Sequence, residues 1–252
     1  MPAPATPDLG LYLEAERGPT SRHSLQINWD YPVFQTAMAQ ASGKTRAKAA
    51  RKALERQLAF SEIAGEDRRP LLVLRECIVC NGTDDALLSQ QGDNEKTLLL
   101  TRYFHCVKLP PEVLDEDHPF TKLFPGEEPP HLFVAQPDGD EFLPLTGEQS
   151  RTELWEVMGR ALAEAYKKNP EGRLRDLTKC LDRLDIIDDK IEQGERRIER
   201  ELEDRGPRSR KLKPMQKELQ ELKAERAEIK KRMQQLAQAE LKKRKAEAEK
   251  AG

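Results

Sequence analysis

Leu71-Leu72-Val73-Leu74-Arg75-Glu76-Cys77-Ile78-Val79-Cys80-Asn81-Gly82-Thr83-Asp84-Asp85 carries three signals in succession. Leu71 to Leu74 is a short continuous apolar run, the pattern of a strand covered on both faces, and Arg69-Pro70 punctuates the chain just before it. The run leads directly into two cysteines separated by two residues. Asn81 to Asp85 then offers helix-start residues, and Ala86-Leu87-Leu88 continues an apolar face. The cysteine pair is therefore expected at a strand-to-helix turn. A thiol placed there faces unpaired backbone N–H groups and the positive end of the helix dipole, both of which favour thiolate. On this reading Cys77 attacks and Cys80 resolves the mixed disulfide.

Outward from this stretch, the chain alternates between helical and strand patterns. Residues 1–22, rich in Pro and small residues, read as a flexible lead-in. From Asp30 to about Ser61 the pattern is helical, with Phe34, Ala37, Met38, Ala41, Ala50, Leu54 and Leu58 on one side. After the cysteines, Thr97 to Lys108 reads as a central strand, and a short helix is expected near Phe120 to Phe124. His131 to Ala135 and Glu141 to Leu145 read as a β-hairpin around the turn Pro137-Asp138-Gly139-Asp140. Arg151 to Lys168 closes the unit as an amphipathic helix.

Composition changes near Asn169-Pro170-Glu171-Gly172. Up to Pro170 there are 19 Lys+Arg against 26 Asp+Glu, a net of −7, while the remainder has 24 against 19, a net of +5. Every aromatic residue and every His lies before that point. Beyond it, Leu212, Met215, Leu219, Leu222, Arg226, Ile229, Met233 and Leu236 recur at spacings of three and four, the seam of a coiled coil. Leu177, Leu181, Leu184, Ile187, Ile191, Ile198 and Leu202 form a looser stripe ahead of it. Arg205-Gly206-Pro207 separates the two, so an antiparallel helical hairpin is expected. The expected division is a lead-in at 1–22, an α/β domain at 23–170 and a coiled-coil hairpin at 171–252.

The order of helix, strand, CxxC at a helix start, second strand, short helix, proline before a third strand, hairpin and final helix resembles the thioredoxin family. The resemblance covers roughly Leu25 to Lys168 and rests on Trp29, Phe34 and Ala37 ahead of the first strand, the CxxC placement, and Pro129-Pro130 before His131. It implies a three-layer α/β/α domain with Cys77 and Cys80 as a catalytic redox pair. It also implies a cis-proline at Pro130 and a role for Pro130 and His131 in holding a substrate chain, with a protein thiol or disulfide as substrate. The sequence departs from the family pattern in three places: Glu76 precedes the first cysteine, Ile78-Val79 lies between the two, and Leu71 stands where the family keeps a buried carboxylate. A carboxylate at Glu76 opposes thiolate formation.

Other classes fit less well. The net charge of −2 gives no overall pull toward nucleic acid. The basic cluster from Arg205 to Lys213 and the run Lys242 to Lys245 lack interleaved aromatics, which also argues against nucleic acid. No apolar run approaches the ~18 residues of a membrane span. The first twenty residues lack a basic region followed by an apolar stretch, so a cytoplasmic location is expected. No cofactor is expected. A metal site from Cys77, Cys80, His105 and Cys106 matches no common zinc spacing, and strand neighbours His105 and Cys106 should face opposite ways. Cys106 and Cys180 read as packing residues. The alternative of a different class is a non-enzymatic scaffold, in which the coiled coil dimerises or binds a partner and presents a redox-weak thioredoxin-like domain.

Overall fold

The computed structural model describes residues 17–32, 52–77, 87–90, 94–146 and 149–242. Strand β2 (Leu71–Arg75) has all five residues buried because it is paired on both sides and covered on both faces. It runs parallel to β3 (His105–Leu109), with Leu72 opposite Cys106, and antiparallel to β4 (Leu132–Ala135), with Leu74 opposite Leu132. Beyond these lie the edge strands β1 (Trp29–Asp30), parallel to β3, and β5 (Leu143–Leu145), antiparallel to β4. The sheet order is β1-β3-β2-β4-β5.

Side chains alternate between two cores, as the two-residue period of a strand requires. Leu71, Val73, Val107, Leu109, Phe133 and Ala135 pack with α2 (Arg56–Ala64) and the 3-10 turn Thr121–Leu123. Leu72, Leu74, Cys106, Leu132 and Val134 pack on the opposite face with α3 (Glu95–Leu100) and α4 (Arg151–Ala165), and Leu87 and Leu88 join them. Ser150 and Glu153 form a reciprocal capping box that starts α4.

Two sequence expectations shift. Thr97 to Lys108 is not one strand: it begins inside helix α3, passes through a 3-10 turn at Thr101–Tyr103, and becomes β3 only at His105. Leu98, Leu99 and Leu100 are buried all round, and a helix enclosed on every side lacks the polar stripe that would have distinguished it from a strand. The helix expected from Asp30 to Ser61 also differs, since Asp30 belongs to β1 and helix α2 starts at Arg56; Phe34, Ala37, Met38, Ala41 and Ala50 lie outside the described residues. Leu58 is exposed, and the buried face is Ala59, Phe60, Ile63 and Ala64, because Phe60 turns inward to meet Phe133 edge-on.

The composition break at residue 170 is not a packing break. Helix α5 (Leu174–Arg205) contributes Leu177, Cys180, Leu181 and Leu184 to the core behind β2, and α6 (Leu212–Ala237) contributes Met233. The two helices pack along each other, with Arg183 against Glu225, Asp188 against Arg226 and Glu195 against Lys223. Gly194 faces Leu219 across the seam, and a β-carbon there would sit 3.5 Å from it, an ordinary van der Waals contact. At the base, Leu236 accepts hydrogen bonds at its carbonyl from the Tyr103 hydroxyl and the Arg173 guanidinium, and the backbone N–H of Lys242 donates to Ala165. No helix among the described residues is long and apolar enough to cross a membrane.

The segment from Arg17 is docked in the same way, although the sequence assigned it to the lead-in through residue 22. Its guanidinium binds Glu95, Asp182 and Asp185 at 2.7 to 2.8 Å. In α1 (Pro19–Ser24) the buried Ser21 hydroxyl donates to the Leu181 carbonyl. The lead-in as far as residue 16 lies outside the described residues.

The β4–β5 turn closes with Gly139 at φ +86°, where its N–H donates to the carbonyl of Gln136. A β-carbon there would lie 2.5 Å from the ring of buried Phe60. Gly139→Ala is therefore expected to lose about 2 to 5 kcal/mol in urea unfolding, combining left-handed strain with overpacking. Gly172→Ala, whose β-carbon would meet nothing within 4 Å, should stay within about 1 kcal/mol of the parent.

Candidate functional site

The carboxyl ends of β1, β3 and β2 lie at one edge of the sheet, and Cys77 follows β2 there. The ladder continues past the strand: Glu76 donates its N–H to Leu109 at 2.8 Å, and Arg75 donates to His131 at 2.7 Å. The β2–β4 ladder ends at Leu74–Leu132, and just past it the Arg75 N–H meets His131 while the Arg75 side chain reaches the carbonyls of Pro129 and Pro130. The fold thus gathers Cys77, Pro130 and His131 at one end of the sheet. Cys77 is partly exposed, Pro130 buried and His131 partly exposed. Cys80 and the helix start at Asn81 to Asp85 lie outside the described residues.

Cys77 takes part in a disulfide, whereas Cys106 and Cys180 are free thiols. The environment of the free thiols disfavours their ionisation. Cys106 sits mid-strand in the helix-covered core, 3% exposed, and burial pushes its thiol up to about 12. Cys180 is held up by burial as well. Cys106 pairs with Leu72, five residues before Cys77 along β2, so the two sulfurs are separated by about 16 Å of strand. That distance excludes a shared metal. His105 turns away to place Nε2 3.1 Å from Asp30, and among the described residues no group of three or more His, Cys, Asp or Glu is arranged to hold a metal.

Glu76, which the sequence sets against thiolate formation, is not a bare charge: its carboxylate lies 2.9 Å from the Lys108 ammonium on the neighbouring strand. The paired lysine offsets part of the repulsion that Glu76 alone would impose on an adjacent thiolate. Arg75 is the residue that sequence reasoning missed. Although 5% exposed, it extends its guanidinium to the carbonyl oxygens of Pro130 and Pro129, at 3.5 and 3.2 Å, and over the Phe124 ring. It thereby ties the proline segment to the strand that delivers Cys77. The available signal was a cation ending an otherwise apolar buried run, a position that demands a partner at the sheet edge. One expectation fails here: among the described residues every peptide bond is trans, Pro129–Pro130 included. Trans is the lower-energy form even before proline, by about 0.5 to 1 kcal/mol.

The buried acidic groups give a pH prediction. In the unfolded chain Cys106 ionises near its usual value of 9, while the folded state keeps it protonated to about 12. The unfolded state therefore releases a proton that the native state retains, and stability is present below pH 9 and lost between about 9 and 12. The slope for this one group reaches about 1.4 kcal/mol per pH unit. Tyr166 and Tyr103, also raised by burial, act in the same direction. Urea midpoints measured from pH 8 to 11 should fall, and fall less in Cys106→Val; equal slopes would contradict this account.

No family model, curated protein or solved structure matches this chain.

Proposed function

We propose that the chain is a thioredoxin-like thiol-disulfide oxidoreductase using Cys77 and Cys80 as its redox pair, with α5 and α6 as a coiled-coil hairpin for partner binding or self-association. The observation that carries this reading is Cys77 itself: partly exposed, disulfide-bonded, and just past the carboxyl end of the central strand, two residues after the Arg75 that holds the Pro129 and Pro130 carbonyls. The succession of a central strand, the cysteines, a parallel neighbour, prolines, an antiparallel hairpin and a closing helix supports it further.

In the reducing direction, the Cys77 thiolate attacks one sulfur of a substrate disulfide, and the other substrate sulfur leaves as thiolate and takes a proton. The Cys80 thiolate then attacks the Cys77 sulfur of the mixed disulfide, releasing the second substrate thiol. Two electrons have passed to the substrate, and the Cys77–Cys80 disulfide awaits an external dithiol. Arg75 holds the prolines where a substrate strand would lie beside Cys77, and Lys108 moderates Glu76.

The test is a redox titration against glutathione buffers. A two-electron transition between about −120 and −270 mV is expected, the span of thiol oxidoreductases, whereas a potential below about −300 mV would mark a structural disulfide and overturn the proposal.

The scaffold reading draws on a different observation. Beyond Ile191 the helices carry Met215, Leu219 and Leu222 only half-buried, and Leu202 is exposed. Apolar positions left partly open along a two-helix seam favour a further helix or a second copy.

A further inference from the structure

A cleft of about 490 Å³ opens at the amino-terminal ends of β2 and β3, the edge of the sheet opposite Cys77, and is bounded on one side by α6. Its size falls within the usual range of small-molecule sites, about 300 to 1,000 Å³. His23, Arg69, Arg102 and Lys230 line it, and among the described residues no Asp or Glu does. Arg69 is already matched by Asp67 at 2.6 Å. Arg102 is not matched. Its guanidinium donates to the carbonyl oxygen of Ser24, its buried Nε has no acceptor, and burial draws its pKa down with no carboxylate opposing the shift. Among the described residues Lys230 has no anionic partner either. A desolvated cation such as Arg102 without a counter-ion is costly, and a ligand that carries negative charge into the cleft removes that cost, with the exposed Lys230 ammonium at the rim as a second donor.

We infer that this cleft binds a small phosphorylated molecule, its phosphate held between Arg102 and Lys230 and its organic part against Phe104 and Met233. A phosphate supplies the charge and the several acceptor oxygens that an arginine fork, an ammonium and an adjacent imidazole can satisfy together. The cleft needs no glycine-rich loop, because side chains rather than backbone N–H groups provide the donors. The site is independent of the cysteine chemistry at the other edge of the sheet.

The experiment is isothermal titration of the full chain with inorganic pyrophosphate and with adenosine diphosphate at fixed ionic strength. Saturable one-to-one binding of at least one probe is expected, weakened about tenfold or more in Lys230→Glu and in Arg102→Met. Lys230 is exposed, so its replacement leaves the fold intact if Arg102→Met does not. Lys213→Glu, at the far end of α6, should bind like the parent. Absence of saturable binding by both probes, or equal loss in Lys213→Glu, would overturn the inference.

Discussion

Cys77→Ser is expected to abolish catalysed reduction of a model protein disulfide, lowering the rate to that of the reductant alone, while Cys106→Ser leaves it within about twofold. The asymmetry follows from burial rather than from cysteine chemistry in general. The thiolate is the nucleophile, and Cys106, pushed up to about 12 and 3% exposed, supplies almost none at neutral pH and cannot meet a substrate. Cys80→Ser should instead trap a mixed disulfide on Cys77, visible by mass spectrometry as an adduct of one substrate molecule, because the attacking sulfur remains and the resolving one is gone. Parent protein that fails to accelerate reduction would end the enzymatic reading and leave the scaffold one.

A chain ending at residue 170 is expected not to fold, despite retaining all five strands. The deletion strips Leu177, Leu181 and Leu184, each fully buried, from the core behind β2, and removes Asp182 and Asp185 from Arg17 and the Leu181 acceptor from Ser21. At about 2 to 5 kcal/mol per buried leucine lost, those three alone cost roughly 6 to 15 kcal/mol, comparable with the whole stability of a domain. Circular dichroism should show no cooperative melt. Removing only residues 195–219 and rejoining the helices with a short glycine turn should leave the melting temperature within a few degrees, since the segment lies beyond the leucines shared with the sheet. A 1–170 fragment with a cooperative transition would refute the shared core.

The parts of the fold that were legible were those in which one physical signal dominated. Leu71 to Leu74 announced a central strand because nothing polar interrupts it, and the seam Leu212 to Leu236 announced a helix because its period is unbroken: each of its eight positions is buried or half-buried. The Thr97 segment was illegible for the converse reason, since its full enclosure between α4 and α5 erased any periodicity. The break at Pro170 misled because charge and aromatic content describe the exposed length of α5 and α6, whereas their buried feet use the same leucines as the rest of the core. At the candidate site, Cys77 was placed by the apolar run that leads into it, whereas Pro130 and His131 were expected only from the family resemblance. Arg75 and Lys108 could be read from neither, because their roles depend on strand register: Arg75 lies opposite Leu109, and Lys108 opposite Leu74.

The return of the chain at Lys242 to pair with Ala165 has a consequence for synthesis. A ribosome releases the five strands before α5 supplies Leu177, Leu181 and Leu184, so one face of the nascent sheet stays incompletely covered until α5 has left the exit tunnel. Contacts spanning 160 residues, such as Ser21 to Leu181, close only then. Such long-range closure is slow and exposes sticky surface meanwhile, which makes this a protein whose yield in cells should depend on chaperone supply.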